Sequence, residues 1–198
     1  MKKISQVSGR AYRLPQQNID TDVIIAAQHL KTILRTGLGA FAFEKLRTNP
    51  DNVFNDARYA GSPILVAGAN FGCGSSREHA VWAMADIGIR AVIAHSFGDI
   101  FAANATKNGF LTVVLPREQI DLLLDLPPEG EITVDLPAQC VTTSAGNSFA
   151  FDIDGFQKNC LMNGLDHIDL TLQMQNQIAV YEAHRLERTP WLAEAMKS

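Results

Sequence analysis

Gly68-Ala-Asn-Phe-Gly-Cys-Gly-Ser-Ser-Arg-Glu-His79 is where glycines, hydroxyls and a guanidinium crowd closest in this chain. Glycines allow positive φ angles, and a turn that feeds a helix presents free N–H groups to an anion. Ser75, Ser76 and Arg77 directly follow Gly74, so the turn suits a carboxylate or a phosphate and offers a serine for activation. Familiar anion-binding patterns fail on detail. A P-loop needs Lys after its last glycine, where Ser75 stands. A dinucleotide fingerprint through Gly72 and Gly74 needs glycine at position 77, which is Arg77. A nucleophile elbow around Ser76 needs glycine where Glu78 stands. A helix capped by Ser75 with Glu78 as a capping box is expected here, yet that alone does not explain the whole string.

A second polar cluster, Asn18-Ile-Asp20-Thr21-Asp22, opens like a calcium loop, but Val23 replaces the required glycine and no Glu closes it. Asx turns are the plain alternative for such a cluster. Lys31, Arg35 and Gly37-Leu-Gly39 then form a basic, flexible stretch that could close over an acidic ligand or simply be a solvated loop. The histidines share no spacing; His29 and His79 are nearest in sequence to the anion-binding candidates. Three cysteines, Cys73, Cys140 and Cys160, stand far apart without a CxxC pair. They suggest a reducing compartment rather than a disulfide framework, and they make no ligand set for zinc or an iron–sulfur cluster.

These side chains need elements to position them. Residues 6–14 read as a first strand, 39–47 as a short helix, and 48–61 as a loop rich in turn residues. Apolar strands at 62–67, 90–95 and 110–115 alternate with helices from about Ser75 to Gly88 and from about Phe97 to Lys107, the pattern of a parallel α/β layer. Pro116 opens a further helix. After Pro127-Pro128, short β segments are expected at 131–136, 140–143 and 148–151, and helix at 155–188 with a break at Asn163-Gly164.

The 198 residues are 46% hydrophobic and 19% charged, an ordinary globular balance for one domain and too apolar for a disordered chain. A net charge of -4 without a basic run argues against a nucleic-acid coat. The opening Met-Lys-Lys-Ile-Ser has no apolar stretch behind it, and no run approaches about 18 apolar residues, so neither a secretory leader nor a membrane span is expected. A cytoplasmic location is the expectation.

Five strings occur in order: Asn18-Ile-Asp-Thr-Asp22, Arg35-Thr-Gly-Leu-Gly39, Asn70-Phe-Gly-Cys-Gly-Ser-Ser-Arg-Glu-His-Ala80, Ser96-Phe97 with Asp99-Ile-Phe101, and Asn163-Gly-Leu-Asp166 with Leu170-Thr-Leu172. Together they resemble the small subunits of bacterial 3-isopropylmalate dehydratase over essentially the full length; the Gly-Ser-Ser-Arg-Glu-His string is shared with the wider aconitase superfamily. The resemblance implies an α/β swivelling domain of β/β/α architecture spanning 1–198, with a helical tail at about 155–198. It implies a hydro-lyase of leucine biosynthesis that interconverts 2-isopropylmalate and 3-isopropylmalate through 2-isopropylmaleate. A separate large subunit is expected to carry a [4Fe-4S] cluster, and this chain to bind none. By similarity, Ser75 is the catalytic base, and Ser76 and Arg77 hold a substrate carboxylate. Gly74, Asp20, Thr21 and Asp22 are expected to bind substrate with them, as are Lys31, Ile33, Leu34 and Arg35 on a loop over the substrate's alkyl branch. Ala26 replaces a proline common in the family, His29 stands where an aromatic is common, Val81 where proline often follows His-Ala, and His95 where proline or a small residue is usual. Those departures touch substrate choice. Related hydro-lyases of citraconate or methylmalate, a non-catalytic paralogue that binds the large subunit, and a simple anion-binding module are the alternatives.

Overall fold

Gly9 determines how the N-terminal apolar run folds. Its φ of 149° suits glycine, and a Cβ there would come within 3.0 Å of Pro63. The single strand expected over 6–14 is therefore two, β1 (Gln6–Gly9) and β2 (Ala11–Leu14), which enter different sheets. The computed structural model describes residues 1–189 and 191; the end of the expected tail, 190 and 192–198, lies outside the described residues.

After β2 come α1 (Thr21–Ile24) and, beyond a run of short turns, α2 (Glu44–Arg47). The helix expected across 39–47 is interrupted because Phe43 takes a left-handed φ of 55°. Tertiary packing imposes that kink: Phe43 is fully buried, stacks on Phe54 at 4.0 Å, and donates its N–H to the Ile24 carbonyl at 2.8 Å. The chain continues through β3 (Ile64–Ala67), α3 (Glu78–Asp86), β4 (Ala91–Ala94), α4 (Asp99–Lys107) and β5 (Leu111–Val114). Strands β2, β3, β4 and β5 form a parallel sheet in that order, with Ala11 opposite Ile64, Ile64 opposite Ala91 and Ala91 opposite Leu111. Then follow α5 (Arg117–Leu124), β6 (Ile132–Asp135), β7 (Cys140–Thr143), β8 (Ser148–Ala150) and α6 (Gly155–Asn163). The second sheet is antiparallel, in the order β1, β6, β7, β8.

Alternation along the central strands explains the layers. Leu65, Ala67, Val92 and Ala94 face a core shared with α3 and α4, through Ala80, Met84, Phe101 and Ala105. Ile64, Val66, Ala91 and Ile93 face a second core with Val7, Val134, Val141 and the α5 residues Ile120 and Leu123. A parallel sheet covered on both sides is apolar at every position, as β3 and β4 are.

Two compact units divide at Gly164, which ends α6 in a left-handed conformation. The first, Met1–Gly164, holds the eight strands of the described residues and α1 to α6. The second begins at Leu165 with α7 (His167–Leu172), entered through an Asp166–Asp169 capping box, and α8 (Gln175–Arg188). The first helix of the expected tail, α6, thus belongs to the first unit. No described helix is long and apolar enough to cross a membrane.

Candidate active site

The glycine-rich turn leaves β3 and is laced between the segments that follow β2 and β4. Phe71 donates its N–H to the Ser96 carbonyl at 3.0 Å, and Gly98 returns one to Phe71 at 2.9 Å. On the other side, Gly72 donates to Ile19 at 2.7 Å and Thr21 donates to Cys73 at 3.0 Å. Gly72, at φ 73°, lets this ribbon press on α4: a Cβ there would sit 2.2 Å from Cγ of Phe101. Thr21, only 2% exposed, donates its hydroxyl to the Ser75 carbonyl at 2.9 Å. Gly74, Ser75 and Ser76 themselves are exposed.

The expected Ser75–Glu78 capping box does not form. Helix α3 begins at Glu78 with Arg77 at the cap position and no side-chain cap. The Glu78 carboxylate instead accepts from Nδ2 of Asn108 at 2.7 Å. Thr21 grips the backbone of Ser75 while Asp22 grips Arg77, whose backbone is extended, and these contacts keep 75–77 outside the helix. In consequence the serine hydroxyls make no hydrogen bond within the described residues and stay open to a ligand. The helix N-terminus follows the serines rather than being capped by them.

Arg77 is 17% exposed and donates through Nη1 to Oδ1 of Asp22 at 2.7 Å and to the Ile25 carbonyl at 3.4 Å. Asp22 also accepts the Ala27 N–H on Oδ1 at 3.1 Å and Nζ of Lys45 on Oδ2. Lys45, and then Arg77, hold the Asp22 carboxyl well below the usual carboxylate range. Asp20 has a local role, capping α1 by accepting the Val23 N–H at 2.8 Å.

Sequence-expected residues therefore fall into two groups. Thr21 and Asp22 are tied to Ser75 and Arg77 by the contacts above, Gly74 and Ser76 adjoin these in the chain, and Asp20 precedes them as the cap of α1. Lys31, Ile33, Leu34 and Arg35 lie apart on an exposed loop, with Ile33 93% and Leu34 64% exposed. Helix α3 moors that loop: the Arg35 guanidinium sits 5.2 Å over the Trp82 ring, His79 Nε2 lies 3.0 Å from the Thr32 carbonyl, and Asp86 accepts the N–H groups of Gly37 and Gly39 at 2.8 Å each. His29 stacks on Phe41 at 4.0 Å and meets Glu44 at 2.7 Å, whereas His95 Nδ1 lies 3.3 Å from the Leu115 carbonyl. Sequence reasoning misses Lys45, Trp82 and Asp86. Only the charge of Lys45 beside Glu44 in a short helix hints at them, because their partners are distant in sequence.

Among the described residues no group of three His, Cys, Asp or Glu side chains could hold a metal ion. Cys160 is buried, Cys140 lies 3.0 Å from the Ser148 hydroxyl, and Cys73 is half-buried in the turn; the cysteines do not fit an iron–sulfur cluster.

Fold and turn define a class: an α/β domain of two sheets, parallel and antiparallel, that offers an open serine–arginine turn at the end of a parallel strand. The model of the aconitase C-terminal domain matches residues 1–118, and the LeuD_N model matches residues 126–155. A third model, for the C-terminal domain of the 3-isopropylmalate dehydratase small subunit, matches residues 168–195. The chain is 55% identical to a 3-isopropylmalate dehydratase small subunit of Novosphingobium aromaticivorans, over 98% of this chain and 96% of the relative. It is 53% identical to the protein of that description from Zymomonas mobilis, over 97% of this chain and 100% of the relative. A crystal structure of 3-isopropylmalate dehydratase (LeuD) from Methanocaldococcus jannaschii superposes with a TM-score of 0.69 at 26% identity, covering 89% of this chain and 99% of that one. The chain belongs to the family of 3-isopropylmalate dehydratase small subunits.

Proposed function

We propose that this chain is the small subunit of a hydro-lyase that interconverts 2-isopropylmalate and 3-isopropylmalate through 2-isopropylmaleate in leucine biosynthesis, acting in the cytoplasm with a large subunit. In this reading the chain carries an aconitase-type swivelling domain, and the [4Fe-4S] cluster belongs to the large subunit. Family membership supports the activity. One observation carries the site assignment: an exposed Gly74-Ser75-Ser76 turn ends in an arginine whose orientation Asp22 fixes.

The chemistry asks for a base, an anion receptor and a wall for the alkyl branch. A proton on carbon beside a carboxylate is weakly acidic, so its removal needs a strong, placed base and stabilisation of developing charge. Ser75 Oγ takes that proton; its alkoxide is favoured by Arg77 and by the open backbone N–H groups of the turn. As the C–H bond breaks, its electron pair forms the double bond, and the neighbouring hydroxyl leaves as water with a proton given by an acid that the large subunit supplies and that recovers it when water adds back. Return of water to the other carbon gives the isomer, with Ser75 Oγ returning the proton. Ser76 and the free N–H groups of Arg77 hold a carboxylate, and a guanidinium does so with a planar fork that Lys lacks. Ile33 and Leu34 help form the apolar wall for the isopropyl group, while Arg35 or Lys31 faces the other carboxylate once the loop covers it.

Replacing Ser75 with Ala tests the base. With the cognate large subunit, kcat for 3-isopropylmalate is expected to fall by about 100-fold or more with KM little changed. Near-normal turnover by Ser75→Ala overturns the assignment.

A further inference from the structure

Asp22 poses a difficulty for the site it helps to build. A carboxylate bonded to Arg77 orients the guanidinium, yet it is also the same chemical group as the ligand that Arg77 is to receive. A carboxylate beside an arginine frequently closes into two parallel bonds and occupies both arms of the fork. Here it does not: Arg77 reaches only Oδ1 of Asp22 through Nη1, while Oδ2 accepts Nζ of Lys45. We infer that Lys45 is a positioning residue that holds Asp22 on a single bond to Arg77 and so keeps the remaining guanidinium N–H groups available to a substrate carboxylate.

The backbone supports that role. Helix α2 is a single turn and starts immediately after Phe43, a bulky residue in the left-handed region at φ 55°. Such a conformation is disfavoured for a large side chain and persists only where its surroundings enforce it. Burial of Phe43, its ring stacking on Phe54 and its N–H bond to Ile24 supply that enforcement. The kink turns the start of α2 toward α1, so that Lys45 meets Asp22 and Glu44 meets His29. Lys45 touches neither Ser75 nor Arg77 by any hydrogen bond among the described residues, so its effect passes through Asp22.

The inference rests on the proposed role of Arg77, and the test separates the two. In the reconstituted two-subunit enzyme with 3-isopropylmalate, Lys45→Met is expected to raise KM by about fivefold and to leave kcat within about twofold. Lys45→Arg, which restores the cation, is expected to return KM to the wild-type value. Because Lys45 acts through Asp22, adding Lys45→Met to Asp22→Asn should change KM no further than Asp22→Asn alone. Unchanged KM in Lys45→Met, a fall in kcat instead, failure of Lys45→Arg to rescue, or multiplying effects in the double variant each overturn the inference. Ser75→Ala and Arg77→Lys, run beside them, report on the underlying reading: if both keep wild-type kcat and KM, the proposed site fails, whereas their loss with a normal Lys45→Met removes only the role of Lys45.

Discussion

At the scale of single residues the site depends on Asp22, on which Arg77, Lys45 and the Ala27 N–H converge. Its depressed carboxyl pKa has a definite sign in the pH dependence. A group whose folded pKa lies below its unfolded value stabilises the fold above the unfolded pKa and loses that effect as pH falls through the folded one. Asp22→Asn should therefore lower Tm relative to wild type at neutral pH, with the gap shrinking below about pH 4. Thermal melts of both proteins across the acid range check this; a gap that stays constant to low pH speaks against the ion-paired role. The serine–arginine string was legible in the sequence because its members are contiguous, and no common anion motif explained them. The bond between Asp22 and Arg77 was not legible, since nothing in local spacing links residues on different sides of a strand. Lys45 escaped for the same reason, and Asp20 serves as the cap of α1.

At the scale of elements the parallel layer could be read because β3 and β4 are apolar throughout, the mark of a strand buried on both faces. The misreadings share one cause, tertiary contacts that override local preference. Gly9 splits an apolar run, Phe43 breaks a helical one, and the Thr21 and Asp22 contacts pull Ser75 out of a cap. Gly72 shows how tightly the turn is built. Gly72→Ala places a Cβ against the Phe101 ring at a positive φ, so overpacking and backbone strain add to about 2–4 kcal/mol of destabilisation. Urea unfolding of the variant measures this, and a loss below about 1 kcal/mol would mean that the turn yields easily. The loop root makes a similar point. Asp86→Ala strips the acceptor from two N–H groups, one of them in buried Gly39. The expected cost is about 1–3 kcal/mol, together with faster proteolysis between residues 30 and 39, read by limited digestion against wild type.

At the scale of the whole molecule the site is open. Pockets that bind small molecules bury most of the ligand's surface, about 70–90% for a drug-sized one, yet Gly74, Ser75 and Ser76 lie on an exposed turn and Ile33 and Leu34 project from an exposed loop. For the proposed site a second surface would supply the missing walls, and the relatives are themselves named small subunits. The described residues offer no group able to hold a metal ion. From these facts the isolated chain is expected to be colourless, to contain no stoichiometric iron or acid-labile sulfide, and to show no turnover of 3-isopropylmalate. Titrating it into a fixed amount of the large subunit should produce activity that rises and then saturates, because each added chain completes one site. Replacing Cys160 with Ser should leave the iron content of the assembled enzyme unchanged, since that thiol is buried in α6 and is not part of a ligand set. Stoichiometric iron in the isolated chain, or loss of iron from the complex on Cys160→Ser, would move the cluster into this subunit. Turnover by the isolated chain would instead mean that the exposed turn is already a complete site, against what its solvent exposure implies.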